Sequence, residues 1–172
     1  MALTKVIGSG LGAIPAISGA NLTGFTDAQM PAGSVLQAVT ATRNSSQAES
    51  SNSFVTSSLA VAITPRSTSS KVLLSGTLFA AVPAGGQVSY NIYRSHGGTD
   101  ALVTALTYGF GGLSSGGGST TLEAATPVSF LDSPSRTDAV TYTIYISSTG
   151  TDNAQIHNNA RLSTLTAMEI QG

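Results

Sequence analysis

An all-β domain, a β-sandwich of jelly-roll type preceded by an extended N-terminal arm, is the fold class the sequence predicts. Three observations carry that expectation. Val140, Tyr142, Ile144 and Ile146 interleave with Thr141, Thr143, Tyr145 and Ser147, and a period of two marks a strand with one buried face. Clusters of Pro, Gly, Ser and Asn interrupt the apolar segments at strand-like rather than helix-like spacing. Hydroxyls stand where charge is usual: the 172 residues hold 25 Ser and 22 Thr, while charged residues make up 9%, against ~25% in ordinary domains. Thr is β-branched and Ser suits turns, so that substitution favours β-structure.

Residues 1–30 differ from the remainder. Apolar side chains recur every three to four positions, at Val6, Ile7, Leu11, Ile14, Ile17, Leu22 and Phe25, with Gly, Ser and Thr between them. Neither a helical nor a strand period persists, and the interspersed glycines raise the entropic cost of ordering the segment alone. It is expected to order against a partner, either its own copies or a larger assembly. Gly8, Gly10, Gly12 and Pro15 break any apolar helix there, so neither a signal peptide nor a membrane span is expected.

Pro31-Ala32-Gly33 punctuates the chain, and strands are expected from Ser34 onward. The first, SVLQAVTATR, sets Val35 and Val39 against Leu36 and Ala38. A polar loop, 44–52, leads to SFVTSSLAVAITP, in which Val55, Leu59, Val61 and Ile63 share a face. The turn around Pro65 passes into KVLLSGTLFAAV. Gly85-Gly86 opens QVSYNIYRS, where Val88, Tyr90 and Ile92 alternate with Ser89, Asn91 and Tyr93. ALVTALTYGF follows, then the glycine-rich run 109–119, which reads as a long loop or a place where backbone approaches closely. The stretch TPVSFLDSPSRTDAVTYTIYISS, 126–148, is the clearest: two strands and a polar turn, in the manner of a hairpin. ITPRSTSSKVLL repeats that grammar, which ordinary turn chemistry explains. NAQIHN and RLSTLTAMEIQG close the chain, giving roughly eight or nine strands and no helix. Two sheets packed face to face are needed to bury them, hence a jelly-roll sandwich over 31–172.

Composition excludes several classes of function. The seven basic residues are scattered singly and the net charge is −1, so nothing could neutralise many phosphates and no nucleic-acid partner is expected. Cysteine is absent, which removes disulfides, thiolate metal sites and Cys nucleophiles. The run 109–118 has no Gly-Lys-Ser/Thr and no following helix, so it does not cradle phosphate. His96 and His157 lack a carboxylate pattern and read as exposed polar positions rather than metal ligands. Asp132 and Asp138 read as turn and capping residues. No Gly-x-Ser-x-Gly elbow occurs. Among Tyr90, Tyr93, Tyr108, Tyr142 and Tyr145, which could stack on sugars, Tyr90 and Tyr142 are expected in the core with hydroxyls reaching its edge. The sequence predicts no enzyme, no catalytic residue, no metal and no cofactor.

PAGSVLQAVTATR, FLDSPSRTDAVTYTIYISS and TLTAMEIQG, with the leader wording IPAISGANLTG at 14–24, resemble short β-domain fibre proteins of tailed bacteriophages of aquatic bacteria and cyanobacteria. The resemblance implies a virion protein, made in the host bacterial cytoplasm, that forms a homotrimer. It further implies that 1–30 is a virion-anchoring arm acting through Val6, Ile7, Leu11, Ile14, Ile17, Leu22 and Phe25. The head domain, 31–172, would face outward toward host surface glycans, with capsid or tail proteins as partners and no membrane. The chain lacks the long repetitive shaft of many tail fibres. Two alternatives stand beside this expectation: a capsid decoration (cement) protein without a receptor role, and a free carbohydrate-binding module.

Overall fold

The computed structural model describes residues 26–103, 106, 109–117, 120–149, 153–157 and 160–172. The arm residues named above, from Val6 to Phe25, lie outside the described residues, as does Tyr108. Among the described residues eleven strands form, and the helical structure is a short 3-10 turn at Asp27–Gln29. No helix among them is long and apolar enough to cross a membrane.

The strands are β1 (Val35–Arg43), β2 (Gln47–Glu49), β3 (Val55–Ile63), β4 (Lys71–Val82), β5 (Gln87–His96) and β6 (Thr99–Leu102). They continue as β7 (Gly111–Ser114), β8 (Leu122–Asp132), β9 (Val140–Thr149), β10 (Ala154–Ile156) and β11 (Ser163–Ile170). They build two antiparallel sheets. One runs β1-β11-β4, with β8 on the other side of β4 and β10-β2 continuing from the far end of β4; the second runs β3-β9-β5, with β6 and β7 both on β5.

The pairing has a simple logic. β1 pairs with β11, β3 with β9, β4 with β8 and β5 with β7, so the chain is one long ribbon in which the earliest strand meets the latest and the β5–β6 hairpin forms the tip. Rolling that ribbon brings β4 against β11 and β5 against β9, and the result is a jelly roll. The expected fold class is therefore the observed one. The expected hairpins are not. β8 lies in the first sheet and β9 in the second, and β3 and β4 are likewise divided. The turns 64–70 and 133–139 are thus corners at which the ribbon crosses between sheets, a gap of ~10 Å rather than the ~4.8 Å of a hairpin. The echo between the two segments is architectural, because their strands run side by side in the ribbon.

Between the sheets lies the core. Leu59, Val61 and Ile63 of β3 and Tyr142, Ile144 and Ile146 of β9 meet Val72, Leu74 and Leu78 of β4 and Leu165 of β11. Strand period supplies the rest: β11 alternates buried and half-buried residues along its whole length. Two departures from regularity have visible causes. A register shift between Val35 and Gln37 turns Val35 outward, while Val39 stays on the inner face beside Ala167. In β3 the register slips between Thr56 and Ala60, with Ser58 at φ 58; the buried Ser57 hydroxyl donates to the Ile144 carbonyl at 2.7 Å and fixes the bulge.

Strand direction sorts the connections to opposite ends of the sandwich. The turns 64–70 and 133–139, the β5–β7 connection and both ends of the described chain share one end, where Arg66 pairs with Asp27 and His96 with Asp138. The loops 44–54, 83–86 and 115–121 and the β9–β11 connection share the other, joined by Gly85 N–H to Ser115 and Ser148 N–H to Ser51.

Candidate interaction surface

Three polar clusters and one bare sheet face are the places where this fold could do something. The first cluster sits inside the sandwich near the chain ends. Parity along β5 carries Arg94 onto the inner face after Val88, Tyr90 and Ile92; parity along β8 does the same for Asp132 after Val128 and Phe130. Arg94 donates to Asp132 Oδ2 at 2.6 Å and the Tyr142 hydroxyl donates to the same oxygen at 2.7 Å. Asp132 is therefore a buried ion-pair partner, not the turn residue the sequence predicts. Burial, then the bond to Asp132, pushes the Tyr142 phenol well above its ordinary 10.0. Tyr90 and Tyr142 are in the core as expected, and the Tyr90 hydroxyl donates to the Pro127 carbonyl at the sheet edge.

His157 forms the second cluster, at the opposite end. Expected as exposed, it is fully buried. Its Nδ1 lies 2.7 Å from the Ser163 hydroxyl, its Nε2 lies 3.3 Å from the Ser57 carbonyl, and its backbone N–H donates to Phe79. The Phe79 N–H donates to Ser163 Oγ, so Ser163 gives its own proton to Nδ1 and the imidazole is the neutral Nε2–H tautomer. It fastens the β3 bulge to β4 and β11. The sequence carried no local signal for this, because Ser57 and Phe79 are distant in the chain and Ser163, six residues on, stands in β11.

The third cluster lies on the outside of the second sheet. Tyr93 and Tyr145 stack with ring centroids 4.1 Å apart, and the Tyr145 hydroxyl donates to Asp100 at 2.6 Å. The chain reaches over part of this face itself, Asn91 Nδ2 donating to the Leu106 carbonyl, and at the edge of β5 that carries β7 the Phe110 N–H donates to the Tyr90 carbonyl. Gly111 and Gly112 lie so close that a Cβ would strike the Tyr90 ring and the Val88 carbonyl. Close backbone approach, one of the two readings of the glycine run, is what these two residues provide. His96 is exposed and lies 2.8 Å from Asp138. Among the described residues, no three His, Asp or Glu side chains gather as metal ligands would.

The outer face of the first sheet is different. Register places Ala38, Met168, Leu73 and Leu131 in one row across four strands. Thr40, Thr166, Ser75 and Ser129 make the next row, and Thr42, Thr164, Thr77 and Pro127 the third. Lys71 and Glu123 bound the face at its two ends, and no charged residue stands in the three rows between. Pro127 fits in mid-strand because β8 pairs with β4 alone, leaving its other edge free of ladder bonds. Leu131 is 49% exposed and Val35, beside the apolar row, 53%. At the far end Arg161 covers Phe79, 4.4 Å above its ring, and pairs with Glu123; among the described residues no charged side chain covers the three rows in that way. The first row is aliphatic and the other two bear hydroxyls apart from Pro127, so the face combines outward apolar side chains with an absence of charge.

No family model matches the chain, and no curated protein matches it. Solved structures do. The chain is similar to VP2 of the infectious bursal disease virus subviral particle, at 15% identity and a TM-score of 0.50 over 81% of this chain and 34% of that one. VP2 of the Gx strain of the same virus gives 16% identity and a TM-score of 0.46 over 80% and 33%. The chain spans about a third of the length of either protein. The first likeness is one of fold.

Proposed function

We propose that the chain is a structural protein of a bacteriophage virion: a short homotrimeric tail or head fibre, held through the arm at 1–25 and presenting its jelly-roll domain outward to the host surface. The observation that carries the reading is the combination of a jelly roll with one long, uncharged sheet face, uncovered among the described residues, beside the point where the arm joins. Jelly rolls recur in viral capsid and lectin domains, and an all-β body with so little charge suits packing among protein surfaces. The sequence resemblance to phage fibre proteins supports the same reading, including arm contacts through Val6, Ile7, Leu11, Ile14, Ile17, Leu22 and Phe25. Host surface glycans are the outward partner in this reading, and no catalytic step is part of it.

The test is incorporation. Chain lacking 1–25 retains Asp27 and its Arg66 partner, folds, and is absent from purified particles that take up the full chain. Normal incorporation of the truncated form overturns the anchor. Copy number then separates a fibre, present in small multiples, from a cement protein present in hundreds; the second outcome replaces the fibre reading with the decoration one.

A further inference from the structure

We infer that the outer face of the first sheet, centred on the row Ala38–Met168–Leu73–Leu131, is the surface through which one copy of this chain contacts another. The inference takes the self-assembling virion protein above as given and adds which face assembles.

Four features point to a second copy as the occupant. The three rows hold no formal charge, so copies can be apposed around any symmetry axis without like charges meeting, a penalty a charged face would carry. The face is flat and strand-built, without the concavity that a small ligand needs. Four strands at ~4.8 Å and three rows at ~6.8 Å make about 400 Å², so two apposed copies bury about 800 Å², a weak contact that depends on the arms to hold the copies together. Finally, the apolar row lies at the end of the sandwich where the chain enters. Gly33 N–H donates to the Gln171 carbonyl and Asp27 pairs with Arg66 there, so whatever gathers the arms also brings these faces together. The outer face of the second sheet also has an uncharged row, Ala60–Thr143–Tyr93–Leu102, but Asp100 stands on it beside Tyr145 and the chain itself reaches over Asn91 at Leu106.

Light scattering of the full chain over a concentration series tests this, with Ala38→Asp/Leu131→Asp as the face variant and Thr143→Asp, on the outside of the second sheet, as control. Wild type and control are expected to share a multi-subunit mass, and the face variant to dissociate at concentrations about a hundredfold higher, with unchanged far-ultraviolet circular dichroism. If the variant misfolds, hydroxyl-radical footprinting of the wild type decides: Met168 and Leu131 are expected to be protected severalfold more in the assembled sample than in the dilute one. A variant that folds and keeps the wild-type mass, or the absence of that protection, overturns the face assignment and leaves the virion reading standing. A monomeric wild type overturns both.

Discussion

The Tyr142 hydroxyl and the Asp132 carboxylate meet at 2.7 Å inside the sandwich, and the Asp132 oxygen that accepts from Tyr142 also accepts from Arg94 at 2.6 Å. One carboxylate thus ties β5, β8 and β9 across both sheets, close to the corner 133–139. Removing its partners should cost unequal amounts. Tyr142→Phe loses one buried hydrogen bond and should lower unfolding free energy by about 1–2 kcal/mol. Asp132→Ala strands Arg94 and the phenol together. Arg94 keeps 27% of its side-chain surface in water, so the cost should be about 2–3 kcal/mol, below the 3–5 of a fully enclosed pair. Urea titration of the two variants checks the order.

His157 makes stability depend on pH in a defined direction. Burial pushes its imidazole below the ordinary 6.5, the Ser57 carbonyl works against that shift, and Arg43 adds to it. The folded protein keeps the ring neutral while the unfolded chain takes up a proton near 6.5. Stability is therefore complete above that pH and declines as pH falls through it, by up to about 1.4 kcal/mol per unit, until the folded-state value is reached. Unfolding measured between pH 7.5 and 5, roughly, should show this slope, and His157→Gln should be less stable at neutral pH with a flatter profile.

Gly76 should resist any side chain. A Cβ there would land on the Thr164 carbonyl and press on Leu165, splitting β4 from β11 in mid-ladder. Gly76→Ala should cost about 3 kcal/mol. Gly97, with nothing within 4 Å but a φ of +58, should cost only about 1 kcal/mol as alanine, from backbone strain alone. Thermal melts of the pair distinguish crowding from conformational cost.

The Tyr145 phenol is pushed up to about 12, chiefly by its bond to Asp100, with burial second. In Asp100→Asn the carboxylate charge is gone, and one tyrosine should ionise closer to 10. Ultraviolet titration of phenolate absorbance in the two proteins reads this directly; superimposable curves would mean the pair does not form in solution.

Which residues form strands was legible in the chain because alternation is local: Val140 to Ser147 declares its two faces without reference to anything else. Which strands are neighbours was not. A polar turn rich in Pro and Ser serves a hairpin and a crossing between sheets equally well, so TPVSFLDSPSRTDAVTYTIYISS looked like a hairpin until β8 was seen paired to β4. Parity did contain the buried ion pair. Arg94 continues the inward series of Val88, Tyr90 and Ile92, and Asp132 continues that of Val128 and Phe130; two opposite charges at the inner ends of two strands are a signal that alternation alone could have supplied. His157 was out of reach, since Ser57, Phe79 and Ser163 become its partners only after three strands converge. The sheet face was hidden for the same reason: Ala38, Leu73, Leu131 and Met168 are unremarkable apart and form a row only in register.

The nested ribbon also sets an order of events. β5 and β6, joined by Gly97-Gly98, close the cheapest loop, whereas β1 must wait for β11, made long after it. A ribosome releasing this chain therefore emits the strand next to the arm well before its mate. The segment that precedes β1 is thus tied to a body that becomes firm only once β11 has been made.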